Sequence, residues 1–195
     1  MKRTSIFALV CACALVPGAA RAERADALKP IHIIGDNNGT LDMVEGNSSL
    51  IGNVVLTRGT LIIKSDKVTL RRDDQDYAYA TFTGGPGGKA TFRQKRDGGS
   101  DLWSEGEAER IEYDEKTDVV KFISGARIAS LEGAKVTQQA TGPFLSYDSR
   151  KEVVNAFNSP EGKSKPGGGR VEIVIDHARR PATPAAPAAT DAGRK

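Results

Sequence analysis

Residues 52–70, GNVVLTRGTLIIKSDKVTL, read as two β-strands folded back on each other at Arg58-Gly59. In the second strand Leu61 and Ile63 share one face while Thr60 and Lys64 share the other. Beyond Asp66 the alternation resumes with Val68 and Leu70. One apolar face at a period of two fixes the register, because a slip of one residue would turn that face to water. The ribbon must press its apolar side against something, either other side chains or a guest molecule.

The rest of the chain repeats this pattern. Helical periodicity is scarce, and alternating stretches fall at 31–34, 50–57, 60–70, 77–83, 90–94, 108–113, 119–123, 126–131, 135–140, 144–147, 153–157 and 171–175. Gly, Asp, Asn, Ser and Pro clusters between them mark turns. Many short antiparallel strands at near-regular spacing predict an all-β sandwich, barrel or roll. There is also an internal echo: IEYDEKTDVV (111–120) and LSYDSRKEVV (145–154) align without gaps, matching Tyr113 with Tyr147, Asp114 with Asp148 and Val-Val with Val-Val. The echo favours a repeated hairpin stacked along an elongated roll, each unit burying its apolar face on its neighbours.

Both ends are set apart by composition. Lys2 and Arg3, the apolar run 6–16 and Ala20-Arg21-Ala22 form a secretory signal peptide over residues 1–22, cut before Glu23. Both cysteines, Cys11 and Cys13, leave with it, so the exported chain relies on packing and strand pairing rather than disulfides. Lys2, Arg3 and Arg21 leave too, and the formal net charge of +3 falls to zero. The balance that remains gives no reason to expect nucleic acid. Residues 179–195 are Pro/Ala-rich without hydrophobic period and are predicted to be disordered. Residues 23–178 suit a single domain, and no other apolar run is long enough for a transmembrane helix. The expected compartment is the periplasm.

The residues offer little to an enzyme. His32, flanked by Ile31 and Ile33, reads as a surface histidine on an edge strand, and His177 borders the tail. GGPGGKAT (84–91) fails as a phosphate loop: Thr83 stands where its first Gly belongs, and Ala90 where Ser or Thr must follow the Lys. It reads as a hairpin connection. Glu105, Glu107 and Glu109 alternate along a strand and are expected to face water. Trp103 is expected to cap the core. No catalytic constellation, metal site or cofactor is predicted.

Four stretches carry a resemblance: KPIHIIGDNNGTLDM (29–43), GNVVLTRGTLIIKSDKVTL (52–70), KATFRQ (89–94) and IEYDEKTDVVKFISGARI (111–128). In this order they resemble the LptA/OstA-like family of periplasmic lipopolysaccharide-transport bridge proteins. Gly84–Gly88 and RDGGSD (96–101) depart from the family pattern and affect loop lengths. The resemblance implies an open, twisted β-jellyroll whose groove shields the acyl chains of lipopolysaccharide. It implies lipid contacts at Ile31, Ile33, Phe92 and Tyr113. It also implies head-to-tail homo-oligomers, an inner-membrane Lpt complex with an ATPase, and an outer-membrane Lpt assembly protein of the same fold.

The residues agree with that reading. An amphiphile cannot cross water unshielded, since each buried methylene is worth about 0.8 kcal/mol. Val54, Leu56, Leu61, Ile63, Phe92, Val120 and Phe122 are the candidate inward positions, expected to line a trough that the polypeptide leaves unfilled. Ile31, His32, Ile33 and Ile34 near one end, with Val171, Ile173 and Ile175 near the other, are candidate edge strands for joining copies. The rival readings are a structural or adhesive β-roll with a filled core and no lipid, a membrane-tethered subunit of the same fold, and a carbohydrate-active enzyme.

Overall fold

A computed structural model describes residues 26–99 and 101–176. The signal peptide, His177 and the tail predicted above lie outside the described residues. The strands are β1 (His32–Ile34), β2 (Gly39–Leu41), β3 (Ser48–Arg58), β4 (Leu61–Arg72), β5 (Ala78–Thr83), β6 (Ala90–Lys95), β7 (Leu102–Ala108), β8 (Arg110–Asp114), β9 (Val119–Glu132), β10 (Lys135–Asp148), β11 (Val153–Phe157) and β12 (Glu172–Ile175). Every pairing is antiparallel, and hydrogen bonding joins all 12 strands into one sheet.

That sheet is bent along one line. On β3, Gly52 (φ 87°) and Asn53 (φ 43°) interrupt the register between Ile51 and Val54. On β9 the same line passes through Ser124 (φ 64°) and Gly125 (φ 59°), and on β10 between Gly142 and Phe144. Bulges of this kind bend a strand and disrupt its ladder. β5 and β6 end and begin at the line, both pairing with β4, and β7 and β8 break there around Glu109. The bend divides the sheet into two layers. One contains β1, β6, β7, β12 and residues 54–58, 61–65, 126–132 and 135–142. The other contains β2, β5, β8, β11 and residues 48–51, 67–72, 119–123 and 144–148.

The layers face each other. Phe92 aligns through Gly106 with Ile128, six residues along β9 from Phe122; a flat sheet would hold those two about 20 Å apart. Instead the Phe92 ring meets Phe122 edge-on with centroids 5.5 Å apart, and Tyr147 at 5.9 Å. Val54, Leu56, Ile63, Val68, Phe82, Ile111 and Leu145 complete a core in which each is fully buried. The architecture is the all-β, open and twisted jellyroll expected.

Several details differ from the sequence reading. The β3–β4 turn is Gly59-Thr60, one residue later than expected, since Arg58 pairs with Leu61. Stretches 119–123 and 126–131 are one strand, as are 135–140 and 144–147; bulges interrupt their alternation without ending them. The predicted strand 108–113 straddles the bend and splits between β7 and β8, and β2 was not anticipated. Gly84–Lys89 is not a hairpin connection, because β5 and β6 lie end to end along β4 rather than pairing with each other. The echo is real: Asp114 accepts the Thr117 amide and Asp148 the Lys151 amide, and Asp118 (φ 51°) and Glu152 (φ 52°) occupy matching turn positions.

Gly106 faces inward, and a Cβ there would lie 2.5 Å from the Phe122 ring and 3.1 Å from the Arg127 carbonyl oxygen. Only a residue without a side chain lets the opposite layer come so near. Gly106→Ala is expected to destabilise the fold by about 1–3 kcal/mol through overpacking, read as a lower urea midpoint with unchanged slope.

Candidate functional site

The seam between the layers runs across the strands and has three zones. The first is a mouth beside β1, a cavity of about 600 Å³ whose apolar lining includes Ile31, Ile33, Leu41, Leu50 and Leu70. Ile33 pairs with Leu56, so both point into the seam. The third zone is a mouth at the other end, about 570 Å³, between β11 and β12, with Ile128, Ala140, Val154, Ala156 and Ile173 in its wall. Ile173 pairs with buried Ala140, and Val154 with buried Tyr147, so each points inward yet stays exposed for lack of a covering strand.

The middle zone is closed. Val54, Leu56, Leu61, Ile63, Phe92, Val120 and Phe122 all point inward as expected, but they are 0–2% exposed and pack against one another. The trough expected to remain unfilled is filled here by side chains from both layers and opens only at its ends. The physical reason is spacing: facing sheets about 10 Å apart bring large side chains into contact.

Along the margin opposite the bend, the two layers are joined by charge. Arg58, at the tip of the β3–β4 hairpin, is 6% exposed. Its guanidinium donates to the Tyr113 hydroxyl and to the carbonyls of Ala27 and Lys29. It also faces Glu115 at 3.1 Å and Asp118 at 3.2 Å. Arg150 binds the other oxygen of Asp118 at 2.8 Å. Burial pushes the Tyr113 phenol well above its ordinary pKa despite the nearby Arg58, so it stays protonated and donates to Asp118 at 3.3 Å. A second station lies further along, where Arg96 donates twice to Glu152, at 2.9 and 3.1 Å, and the Asp97 amide donates to the same carboxylate at 2.9 Å. A cavity of about 310 Å³ separates the stations, its walls including Leu61 and Gln94 of one layer and Ser149 and Arg150 of the other.

The remaining candidates fall outside the seam. His32 is exposed on β1, and Ile34, at 66% exposed, points away from the mouth. Among the described residues, both β1 and β12 have one paired and one free edge, as edge strands do, with Ile173 and Ile175 exposed and Val171 just ahead of the strand. Trp103 does not cap the core: it sits on the outer face beneath the Arg93 guanidinium, 4.2 Å from its ring centre, and donates to Asp101. Glu105 and Glu107 do not stand free in water but pair with Arg93 and Lys89 across the β6–β7 ladder. A cavity of about 880 Å³ lies on the outside of the second layer, where Thr69, Thr81, Glu112 and Lys121 make it polar. Among the described residues no cluster of His, Cys, Asp and Glu could hold a metal.

Sequence reading missed the second mouth and the charged margin. The echo held a signal for the first: Tyr147 two residues from the Asp turn implies an inward partner two residues beyond the turn, which is Val154. Nothing local marks Arg58, because its side-chain partners come from residues 55 and more positions away.

The family described as LptA/(LptD N-terminal domain) LPS transport protein matches residues 32–153. The lipopolysaccharide export system protein LptA of Escherichia coli K12 is 31% identical over 142 residues, 73% of this chain and 71% of that protein. LptA of Haemophilus influenzae is 28% identical over 151 residues, 77% and 82% of the two chains. Lipopolysaccharide export system protein LptH of Pseudomonas aeruginosa is 28% identical over 174 residues, 87% and 91%. The crystal structure of LptH matches with a TM-score of 0.66 at 23% identity, covering 77% of this chain and 98% of that one.

Arg58→Met leaves the partly buried Glu115 without its cation and buried Asp118 with Arg150 alone, and is expected to cost about 3 kcal/mol. Arg72→Met, which breaks the exposed pair with Asp76, should cost no more than about 1 kcal/mol. Urea denaturation of the two variants checks the contrast.

Proposed function

This chain belongs to the LptA/(LptD N-terminal domain) family, and on that premise we propose that it carries lipopolysaccharide through the periplasm from the inner to the outer membrane. The acyl chains travel in the seam between the layers while the sugars stay in water. The observation that carries the reading is the pair of apolar mouths at opposite ends of one seam, each beside a strand with a free edge. A second copy that adds its β12 to the free edge of β1 would continue the sheet, and the seams of the two molecules would join. The same geometry suits partners of the same fold at the inner-membrane Lpt complex and at the outer-membrane assembly protein.

Ile31, Ile33 and Ile173 are the first lipid contacts in this reading, with Val54, Leu56, Leu61, Ile63, Phe92, Tyr113, Val120 and Phe122 met deeper in the seam. Contacts of this kind are aliphatic, shallow and repeated, which lets cargo move on instead of stopping in a tight site. The role is transport rather than catalysis, and a membrane partner supplies the energy.

The closed packing of the middle zone favours one other reading, a structural β-roll that binds no lipid. Photo-crosslinking residues at Ile33 and Ile173 in growing cells separate the two. Adducts with lipopolysaccharide at both positions, and none at outward Thr69, are expected; no adduct at either mouth would leave only the structural roll. Sedimentation should also show oligomers that grow with protein concentration, whereas a strict monomer at high concentration contradicts head-to-tail joining.

A further inference from the structure

We infer that the acyl-chain site in the middle of the seam is cryptic, and that the ionic clasp of Arg58–Glu115/Asp118 and Arg96–Glu152 must release before lipid can occupy it. The inference rests on the carrier reading above and adds the control of that site.

Three observations converge. First, the middle of the seam has no room: Val54, Leu56, Ile63 and Phe122 are 0% exposed, and Phe92 touches Phe122 and Tyr147 across the layers. A hydrocarbon chain that passes from one mouth to the other has to part the layers. Second, the bend is built to allow this. Only β3, β4, β9 and β10 cross it without a break, and β3, β9 and β10 do so through register shifts. Positive-φ residues sit along it at Gly52, Asn53, Gly84, Ser124 and Gly125. A line with so few continuous ladders is where a sheet yields as a hinge.

Third, the opposite margin is held at points and not by a ladder. Strand pairing runs within each layer, and across the margin the layers meet through side chains: Arg58 to Tyr113, Glu115 and Asp118, and Arg96 with the Asp97 amide to Glu152. The cavity of about 310 Å³ lies between the two stations, so they are separate fastenings and not one packed wall. Side-chain ion pairs can break and re-form without unravelling a strand. The clasp therefore sets how often the seam opens, and with it the fraction of molecules able to take lipid in the middle zone.

The experiment uses the secreted chain with Arg96→Cys and Glu152→Cys, joined by a short bismaleimide carrying a reducible disulfide. Residues 23–195 have no cysteine of their own, so the tether forms only there. A photo-crosslinking residue is placed at Phe92 behind the clasp or at Ile33 in the mouth, and purified lipopolysaccharide is the probe. With the tether intact, adducts at Phe92 should fall about ten-fold or more while those at Ile33 persist. Reduction of the tether should restore the Phe92 adducts, which excludes misfolding as the cause. Adducts at Phe92 undiminished by the tether would overturn the clasp and leave the carrier reading intact. No adducts at either position in the untethered protein would overturn the carrier reading itself. As a second measurement, Glu152→Gln without a tether should speed adduct formation at Phe92; an unchanged rate would also count against the clasp.

Discussion

Four strands have to pass from one layer into the other, and the rest of the molecule depends on how they turn. An antiparallel sheet of this length, left flat, would expose a broad apolar face that no helix among the described residues covers. Bending it back on itself buries that face against its own other half. The bend works because the residues along it can leave the extended region: Gly52 and Gly125 at no steric cost, Asn53 and Ser124 with short polar side chains. It also explains why two stretches that alternate out of phase belong to one strand. Ser65 and Val68 of β4 are both buried with Asp66 and Lys67 exposed between them, since inward in one layer becomes inward in the other only by skipping a step.

A bent sheet of this kind holds two opposing tendencies. Its inner faces are apolar enough to close on each other, and they do. Its far margins end in hairpin tips rich in charge, and those tips close the remaining side through Arg58, Arg96 and their carboxylates. Opening such a contact returns both charged partners to water, so it costs far less than losing one partner of a buried pair, and in the proposed carrier each buried methylene of a guest would return about 0.8 kcal/mol against it.

How much of this was legible in the sequence follows from the range of each interaction. The hairpin at 52–70, the inward set Val54, Leu56, Leu61, Ile63 and Phe92, and the echoed Tyr-Asp turns rest on neighbours within a few positions, and period-two patterning exposes them. The edge character of β1 and β12 was readable because each is short, apolar and near an end of the folded chain. Trp103 misled because size suggests burial, while its place one step out of phase with Ser104 and Gly106 puts it outside with Arg93. The clasp was invisible: Arg58 in sequence is a polar turn residue like many others, and only the bend brings Tyr113, Glu115 and Asp118 to it. A filled interior was invisible for the same reason, since alternation says which way a side chain points and not how far away the opposite wall stands.

The free edges then acquire a second meaning. A strand such as β12, exposed on both faces with Ile173, Val174 and Ile175 in water, is a standing invitation to aggregate. It carries no proline, and its single charge is Glu172 at the start, so nothing there blunts pairing. Among the described residues an apolar edge stands open at each end, beside an apolar mouth, and a single strand-adding partner would cover both together. Strand addition from another molecule would do this in one step: the ladder would satisfy the edge, and the neighbour's seam would take over the hydrocarbon that the mouth shows to water. In the proposed carrier, the exposure of the ends and the closure of the middle would be two parts of one arrangement: the ends await a neighbouring strand, and the middle awaits the lipid that parts the layers.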